Sequence, residues 1–485
     1  MFVVVQVALG RLCSMDIAKA LDGTQWSAGT TVSFPNSAKF NETTERWTVY
    51  SPPTYFAAVS PSDEGAVVKA SKVQVATAHD IPFLATGGRH GYTATYGKLQ
   101  DGLAIDLSQL DSIDIDASAS TITVGGGVRI GDIIEPLYEA GFELQTGSCS
   151  CPGLVGATLG AGVGRYQGLH GLIIDALLSV RLVVADGRAI EVSEDSYSDL
   201  FWGIRGAGTN FGVITSATYK IHKLTNKGRI LNADFVFTGN MTTAYFETLK
   251  SFGTLPAELV PTQGFFWDAS SNSTVLIANW IYIGPEEKGR ELMTPIFDIG
   301  PVVANVSVVP YNKLIQTMAF GADANLCVPG KSLATYSVNV RQFSVATYEW
   351  AFKKVSDFFA QYPAGRGSSF IFETFPNQAV LAVPQEKTCY PWRDAKGNFV
   401  FQFSVSKEDN ALDEAGNSLG RELRSEFAKT SGYPGLSVYK SYAGGDETPE
   451  QIYGKDQLPR LAALKKEWDP TNVFRYSNNL PTQYP

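Results

Sequence analysis

The chain holds only four histidines and five cysteines, and one of each stands in a glycine-rich loop. His90 lies in TGGRHGY, Thr86 to Tyr92, directly after the apolar run Ile81–Ala85. Cys149 lies in TGSCSCPGLVGATLGAGVG, Thr146 to Gly164. Glycines let a backbone approach a ligand closely and adopt positive φ, so that successive N–H groups converge on an anion. By pattern alone each loop reads first as plain turn structure. Neither carries a lysine followed by Ser or Thr, as a phosphate-cradling P-loop does. Neither follows the strand–GxGxxG–helix order with an acidic residue about 20 positions on. No histidine pairs with carboxylates at metal-ligand spacing and no CxxC occurs, so no metal is expected. His170, in GLHGLIIDALL, reads as structural.

The elements around these loops predict an α+β protein. AVVKASKVQVATAHD (66–80) reads as a helix, IPFLATGG as a strand running into a turn, and residues 102–127 as several short strands. VRIGDIIEPLYEAGFELQTG reads as a helix closed by glycine. ALLSVRLVVADGRAIEVS is a hairpin turning at Asp186-Gly187. From about residue 230 the texture changes to long strands of period two, RILNADFVFTGN, STVLIANWIYIG and SLATYSVNVRQF, with an amphipathic helix, TYEWAFKKVSDFFAQYP. This predicts a second domain, a large antiparallel sheet backed by helices on one face. The end is one helix followed by an extended tail.

A chain of 485 residues is too long for one small core and predicts two or three lobes. Net charge is −9 and the sequence pI about 5.2. With no Lys/Arg-rich block, nucleic acid is not an expected partner. No apolar run reaches the ~20 residues of a membrane span. The N-terminus, MFVVVQVALGRLCS, is apolar but lacks a basic n-region, an atypical signal segment. Sequons at Asn41, Asn240, Asn272 and Asn305 favour a secreted glycoprotein. The odd cysteine count leaves at least one outside any intrachain disulfide, and Cys149 and Cys151 are too close to bridge each other without strain.

Taken in order, the His90 loop, the Cys149 loop and RGAGTNFGVIT (Arg205–Thr215) resemble the vanillyl-alcohol oxidase superfamily, with its para-cresol methylhydroxylase (PCMH) type of FAD domain. Within it the chain is similar to the berberine bridge enzyme-like oxidoreductases. PSDEGAVVKA, DLFWGIRGAGTNFGVIT and the C-terminal YGKDQLPRLAALKKEWDPTNVFRYSNNLP carry the rest of the resemblance. It implies a two-part PCMH-type FAD-binding domain over 1–225, a substrate-binding domain over 226–440 and a C-terminal segment, 441–485, returning to the FAD domain. It also implies that His90 is bonded to the 8α carbon of the flavin. Cys149 falls where bicovalent members bond flavin C6; a free thiol or a disulfide to another cysteine stays open. The other cofactor contacts implied are Thr86, Gly87, Gly88, Arg89, Gly91 and Tyr92 in the first loop. Gly147, Gly153, Gly156, Thr158, Gly162 and Gly164 follow in the second, with Asp175 near the adenosine. Gly212, Val213, Ile214, Tyr476 and Asn478 complete the set. Most relatives have Gly-Gly-His where this chain has Gly88-Arg89-His90, with Arg89 expected to point outward.

On the substrate side the resemblance places Gln402, in NFVFQFSVS, at a polar active-site position. LSVYKSYAGGD (436–446) matches the Tyr-x-Asn-(Tyr/His) strand at Tyr439 and Tyr442, with Ser441 replacing Asn. Read as a strand, it puts Tyr439 and Ser441 on one face and Lys440 and Tyr442 on the other. Tyr439 is the candidate base, provided that Arg393 or Lys440 favours its phenolate. The implied activity is that of a covalent FAD oxidase. A small-molecule alcohol, sugar or secondary metabolite gives hydride to flavin N5, and O2 returns the flavin to its oxidised form with release of H2O2. A non-redox cyclisation on the same scaffold is the alternative, and a flavin or carbohydrate binder without a base is a third. A monomer is expected.

Overall fold

The computed structural model describes residues 18–71, 81–406 and 408–485. The N-terminal apolar segment, Cys13 and the second half of the helix expected at 66–80 lie outside the described residues; the first half is helical, within Glu64–Ser71.

Two sheets build the N-terminal part. The first runs in the order Thr31–Ser33, Tyr55–Ser60, Gly102–Asp106, Phe83–Thr86. Its last two pairings are parallel, so strands 83–86 and 102–106 end side by side. The apolar run before the first loop forms strand Phe83–Thr86, and the glycines begin where it stops. The second sheet has the order Ile113–Asp116, Thr121–Gly125, Val213–Lys220, Leu177–Val183, Ala189–Ser193 and is antiparallel throughout. The hairpin turns where expected, with Gly187 at φ +81. The helix Ile130–Glu139 ends before Gly141 at φ +79.

The third sheet has seven antiparallel strands in the order Val303–Pro310, Arg229–Thr238, Ser273–Tyr282, Leu259–Asp268, Ser369–Glu373, Gly397–Ser404, Leu333–Val340. Alternation divides its two faces. Phe370, Phe372, Phe399, Phe401 and Phe403 point to one side, into a core shared with helices Val345–Gln361 and Asn410–Thr430. Tyr348 meets Phe372 there at 5.1 Å, and Phe427 meets Phe399 at 5.4 Å. The other face carries Thr335, Ser337, Asn339, Glu373, Asn398 and Gln402, all buried. A polar face keeps out of water only when hydrogen-bonded or functional.

The segment expected as a last strand, 436–446, is not one. Lys440–Tyr442 is a 3₁₀ turn, in which residues i and i+3 eclipse. Tyr439 and Tyr442 therefore share a side, with ring centroids 4.8 Å apart, and the two-faced reading of this stretch fails. Helix Leu458–Trp468 follows. Its Lys465 is fully buried; Nζ donates to Asp469 at 2.6 Å and to the carbonyls of Asn210 and Phe474 at 3.0 Å. That clamp fixes the C-terminal tail against the turn Gly208–Asn210.

Candidate active site

A cavity of about 290 Å³ opens between the first glycine loop, the Cys149 loop, the 439–443 turn and the C-terminal tail. All seven residues of TGGRHGY line it. The loop is tight because two backbones meet. A Cβ on Gly88 would stand 2.1 Å from the Gly153 nitrogen, so only glycine lets the loops touch. The N–H groups of Gly87, Gly88, Arg89, His90 and Gly91 donate to no acceptor among the described residues. Such a run is a nest for an anion.

His90 stacks on Trp47, with centroids 4.3 Å apart and planes 19° from parallel. Burial holds its imidazole down to about 3, and the cations Arg46, Lys331 and Arg129 add to this. The ring is neutral at working pH, and its Nε2 is buried with no partner. Arg89 does not point outward. It takes φ +53 and sets Nη1 2.6 Å from Asp106 Oδ1, a pair that is almost wholly buried. The carboxylate at the end of the 102–106 strand requires that cation.

Cys149 lines the cavity as a free thiol, pushed up to about 12 by burial first and by Asp323 and Glu373 next. Among the described residues it forms no disulfide: Cys151 pairs with Cys327 across 176 residues, and Cys149 and Cys389 are both free. Ser150, between the two cysteines, donates from N and Oγ to Asp323 at 2.9 and 2.6 Å. Gly147, Gly153, Gly156, Gly212, Val213, Ile214, Tyr476 and Asn478 all line the cavity.

Four expected cofactor residues do not line the cavity. Thr158 is buried in the core, bonding the Leu154 carbonyl at 2.8 Å and the Tyr219 hydroxyl at 3.0 Å. Gly162 packs on Ile173, and its N–H donates to Tyr439 Oη. Gly164 lies against the Thr146 carbonyl, where a Cβ would stand 1.9 Å from the oxygen. Asp175 accepts from the Leu172 N–H and forms a buried ion pair with Arg393 at 2.7 Å. Thr158, Gly162 and Gly164 build the loop, and Asp175 the short helix Ile173–Ala176 after it, rather than face the cavity.

Tyr439 lines the cavity, but its hydroxyl accepts the N–H groups of Gly162 and Val163 at 3.1 and 3.2 Å and braces the glycine loop. Burial pushes its pKa up. Neither cation expected to favour phenolate is free to do so. Arg393 belongs to Asp175, and Lys440 donates to Thr209 Oγ1 at 2.8 Å. Gln402 lies outside the cavity. It stands opposite Ser369, four residues along the strand from Glu373 or ~13 Å at strand rise, where it accepts from the Ser369 hydroxyl at 3.3 Å. His170 is structural, its Nε2 2.8 Å from the buried Glu143.

Tyr442 is placed differently. Its hydroxyl donates to Glu373 Oε2 at 2.9 Å, and both residues line the cavity. Burial raises the Glu373 carboxyl to about 7, against the Tyr442 hydrogen bond and the Arg165 charge, which lower it. A buried acid poised near neutrality beside a hydroxyl is what general-base chemistry needs. Glu373 was not found from sequence. Its signal is slight: the one charged residue closing the apolar strand SFIFE. Trp47, under His90, had no local signal at all.

These features test what the cavity fits. The unpartnered His90 Nε2, the five N–H groups free among the described residues, and Lys440, which has no carboxylate partner among the described residues, suit a flat ring system carried on a diphosphate, as FAD is. The comparisons agree. A family model described as FAD binding domain matches residues 56–193, and one described as Berberine and berberine like matches 438–481. FAD-linked oxidoreductase fogF of Aspergillus ruber is 47% identical over 466 residues, covering 95% of this chain and 93% of the relative. FAD-linked oxidoreductase OXR1 of Pyricularia oryzae is 47% identical over 458 residues, covering 94% and 90%. The fold matches wild-type BBE-like 1 of Physcomitrella patens with a TM-score of 0.82 at 22% identity, over 98% of this chain and 100% of that one. It matches the glucooligosaccharide oxidase of Acremonium strictum with a TM-score of 0.83 at 20% identity, over 96% and 99%. Fold and site define an FAD-dependent oxidoreductase. The chain belongs to the FAD-linked oxidoreductases with a berberine bridge enzyme-like C-terminal segment.

Proposed function

We propose that the protein is an oxidase that removes hydride from a hydroxyl-bearing carbon of a small molecule, with Glu373 as the base and FAD tethered through His90. The single observation that carries this reading is the Tyr442–Glu373 hydrogen bond at 2.9 Å inside the cavity. When bound, FAD supplies the hydride acceptor. The chain's own residues manage the proton. The substrate hydroxyl gives its proton to Tyr442 as Tyr442 passes its own to the Glu373 carboxylate. Tyr442 alone is a poor base, since burial and Glu373 drive its pKa far above that of free tyrosine; the carboxylate makes the transfer possible. Lys440, held down to about 8 by burial, brings positive charge to the cavity wall.

The test is anaerobic mixing of the purified holoenzyme with a panel of alcohols, oligosaccharides and phenolic alcohols. Loss of the oxidised flavin absorbance, and peroxide release on admitting O2, support the reading. Product formed with the flavin colour unchanged throughout would make the reaction a non-redox cyclisation instead.

Cys149 faces the same cavity, and a second bond from its sulfur to the flavin is part of the proposal. Peptide mass mapping of protein alkylated after unfolding should find one flavin bridging the His90 and Cys149 peptides. Cys149 recovered as the alkylated thiol rules the second bond out.

Secretion as a glycoprotein is proposed too. Asn41, Asn240, Asn272 and Asn305 are all exposed, and the Cys151–Cys327 disulfide suits an oxidising compartment. Protein recovered from the medium of a eukaryotic host should gain gel mobility on endoglycosidase treatment. An unchanged band speaks against the glycans.

A further inference from the structure

Arg165 follows the second glycine loop and is 5% exposed. Its Nε and Nη1 are buried with no hydrogen-bond partner, and so are the hydroxyls of Ser148 and Tyr166. These three residues border a second cavity of about 20 Å³, room for one water-sized group. Gly147 and Ser148 line this small cavity and the large one alike, so the two share a wall. The guanidinium lies over Phe375 at 5.9 Å, and no described carboxylate forms an ion pair with it. It is close enough to Glu373, Asp234 and Cys149 to feel their charge, and Glu373 and Cys149 face the large cavity. A guanidinium stripped of water with two of its nitrogens unpartnered destabilises the fold unless something pairs with it. A fork of free donors beside a reaction cavity is the arrangement that binds a carboxylate.

We propose that Arg165, with the Ser148 and Tyr166 hydroxyls, anchors a carboxylate group of the substrate, so that the oxidised alcohol belongs to a hydroxy acid. The proposal rests on reading the large cavity as the site of oxidation and names the substrate class for it. One carboxylate oxygen fills the small cavity. The rest of the molecule then extends past Ser148 toward Tyr442 and Glu373.

The experiment is calorimetric titration of the holoenzyme with benzoate and with its neutral counterpart benzamide. It is run on wild type, Arg165→Met and Arg165→Lys, with melting temperatures measured alongside. Benzoate should bind wild type more tightly than benzamide. Arg165→Met should weaken benzoate by about tenfold or more, the worth of a hydrogen bond to a charged group, and leave benzamide unchanged. Arg165→Lys should fall between, because lysine keeps the charge but loses the fork. The Met variant should melt no lower than wild type, since it removes an unpaired buried charge. Benzoate bound equally by wild type and Arg165→Met overturns the proposal. So does a Met variant that melts lower and loses both ligands alike, which makes Arg165 a packing residue. Because the titration needs no turnover, it reads the carboxylate anchor separately from the redox assay: a failed redox assay with benzoate still bound through Arg165 overturns the oxidation reading alone, and a failed titration overturns the anchor alone.

Discussion

Glu373→Gln slows flavin reduction by substrate by about 10²–10⁴-fold, the usual cost of losing a general base. The amide keeps the shape and still accepts the Tyr442 hydrogen bond, so flavin content and fold persist. Only the capacity to take a proton is lost. Tyr442→Phe breaks the same relay at its other member and slows reduction in the same half-reaction, with reoxidation by O2 unaffected. The pH profile gives the sign. Glu373 works as the carboxylate, and its pKa is raised to about 7. The reduction rate therefore climbs with pH below 7 and levels off above it, and Glu373→Gln flattens the profile. Stability runs the other way. A carboxyl whose folded pKa exceeds its ordinary value of 4.5 penalises the fold as pH rises from that value through about 7. The Gln variant is then at least as stable as wild type above pH 7. Stopped-flow reduction across pH 5 to 9 decides the matter: equal rates for wild type and Glu373→Gln remove Glu373 from the mechanism.

His90→Ala releases the flavin. In wild type, acid precipitation should leave the yellow colour in the pellet, and the band should fluoresce on a denaturing gel unless a Cys149 thioether quenches it. In His90→Ala the flavin should appear in the supernatant, apart from any fraction still held by Cys149; the double variant with Cys149→Ala should release all of it. The reasoning is geometric and electrostatic. The imidazole is neutral because burial holds it down to about 3. Its Nε2 has no partner to occupy its lone pair, and Trp47 fixes the ring plane. Trp47→Ala removes that stacking face and should lower the fraction of flavin attached while leaving His90 in place. Flavin that washes out of acid-precipitated wild type would end the tether proposal.

Much of this protein was legible in its sequence. The glycine loops, with a rare histidine and a rare cysteine on them, are local features. A run of glycines announces backbone freedom at its own position, and the residue between them rides on the same loop. The large sheet was legible for the same reason. Period-two patterning is a property of each strand, so RILNADFVFTGN and SLATYSVNVRQF became Arg229–Thr238 and Leu333–Val340.

What failed depended on neighbours far along the chain. The stretch 436–446 carries β-forming residues, yet Lys440–Tyr442 within it is a 3₁₀ turn, and that turn puts Tyr439 and Tyr442 on one side. Gln402 shares the polar face with Glu373, but register alone set it four residues from the cavity. Arg89 turned inward because Asp106 waits at the end of an adjacent parallel strand. Asp175 left the cofactor list because Arg393, 218 residues away, claims its carboxylate. Glu373 reaches a near-neutral pKa because the sheet buries it, and the C-terminal segment brings the Tyr442 hydroxyl to its oxygen. A side chain's identity and local backbone freedom are written in its own neighbourhood. Its burial, its charge state and the partner that claims it are set by residues the fold brings in from elsewhere, and in this protein those three decide the chemistry.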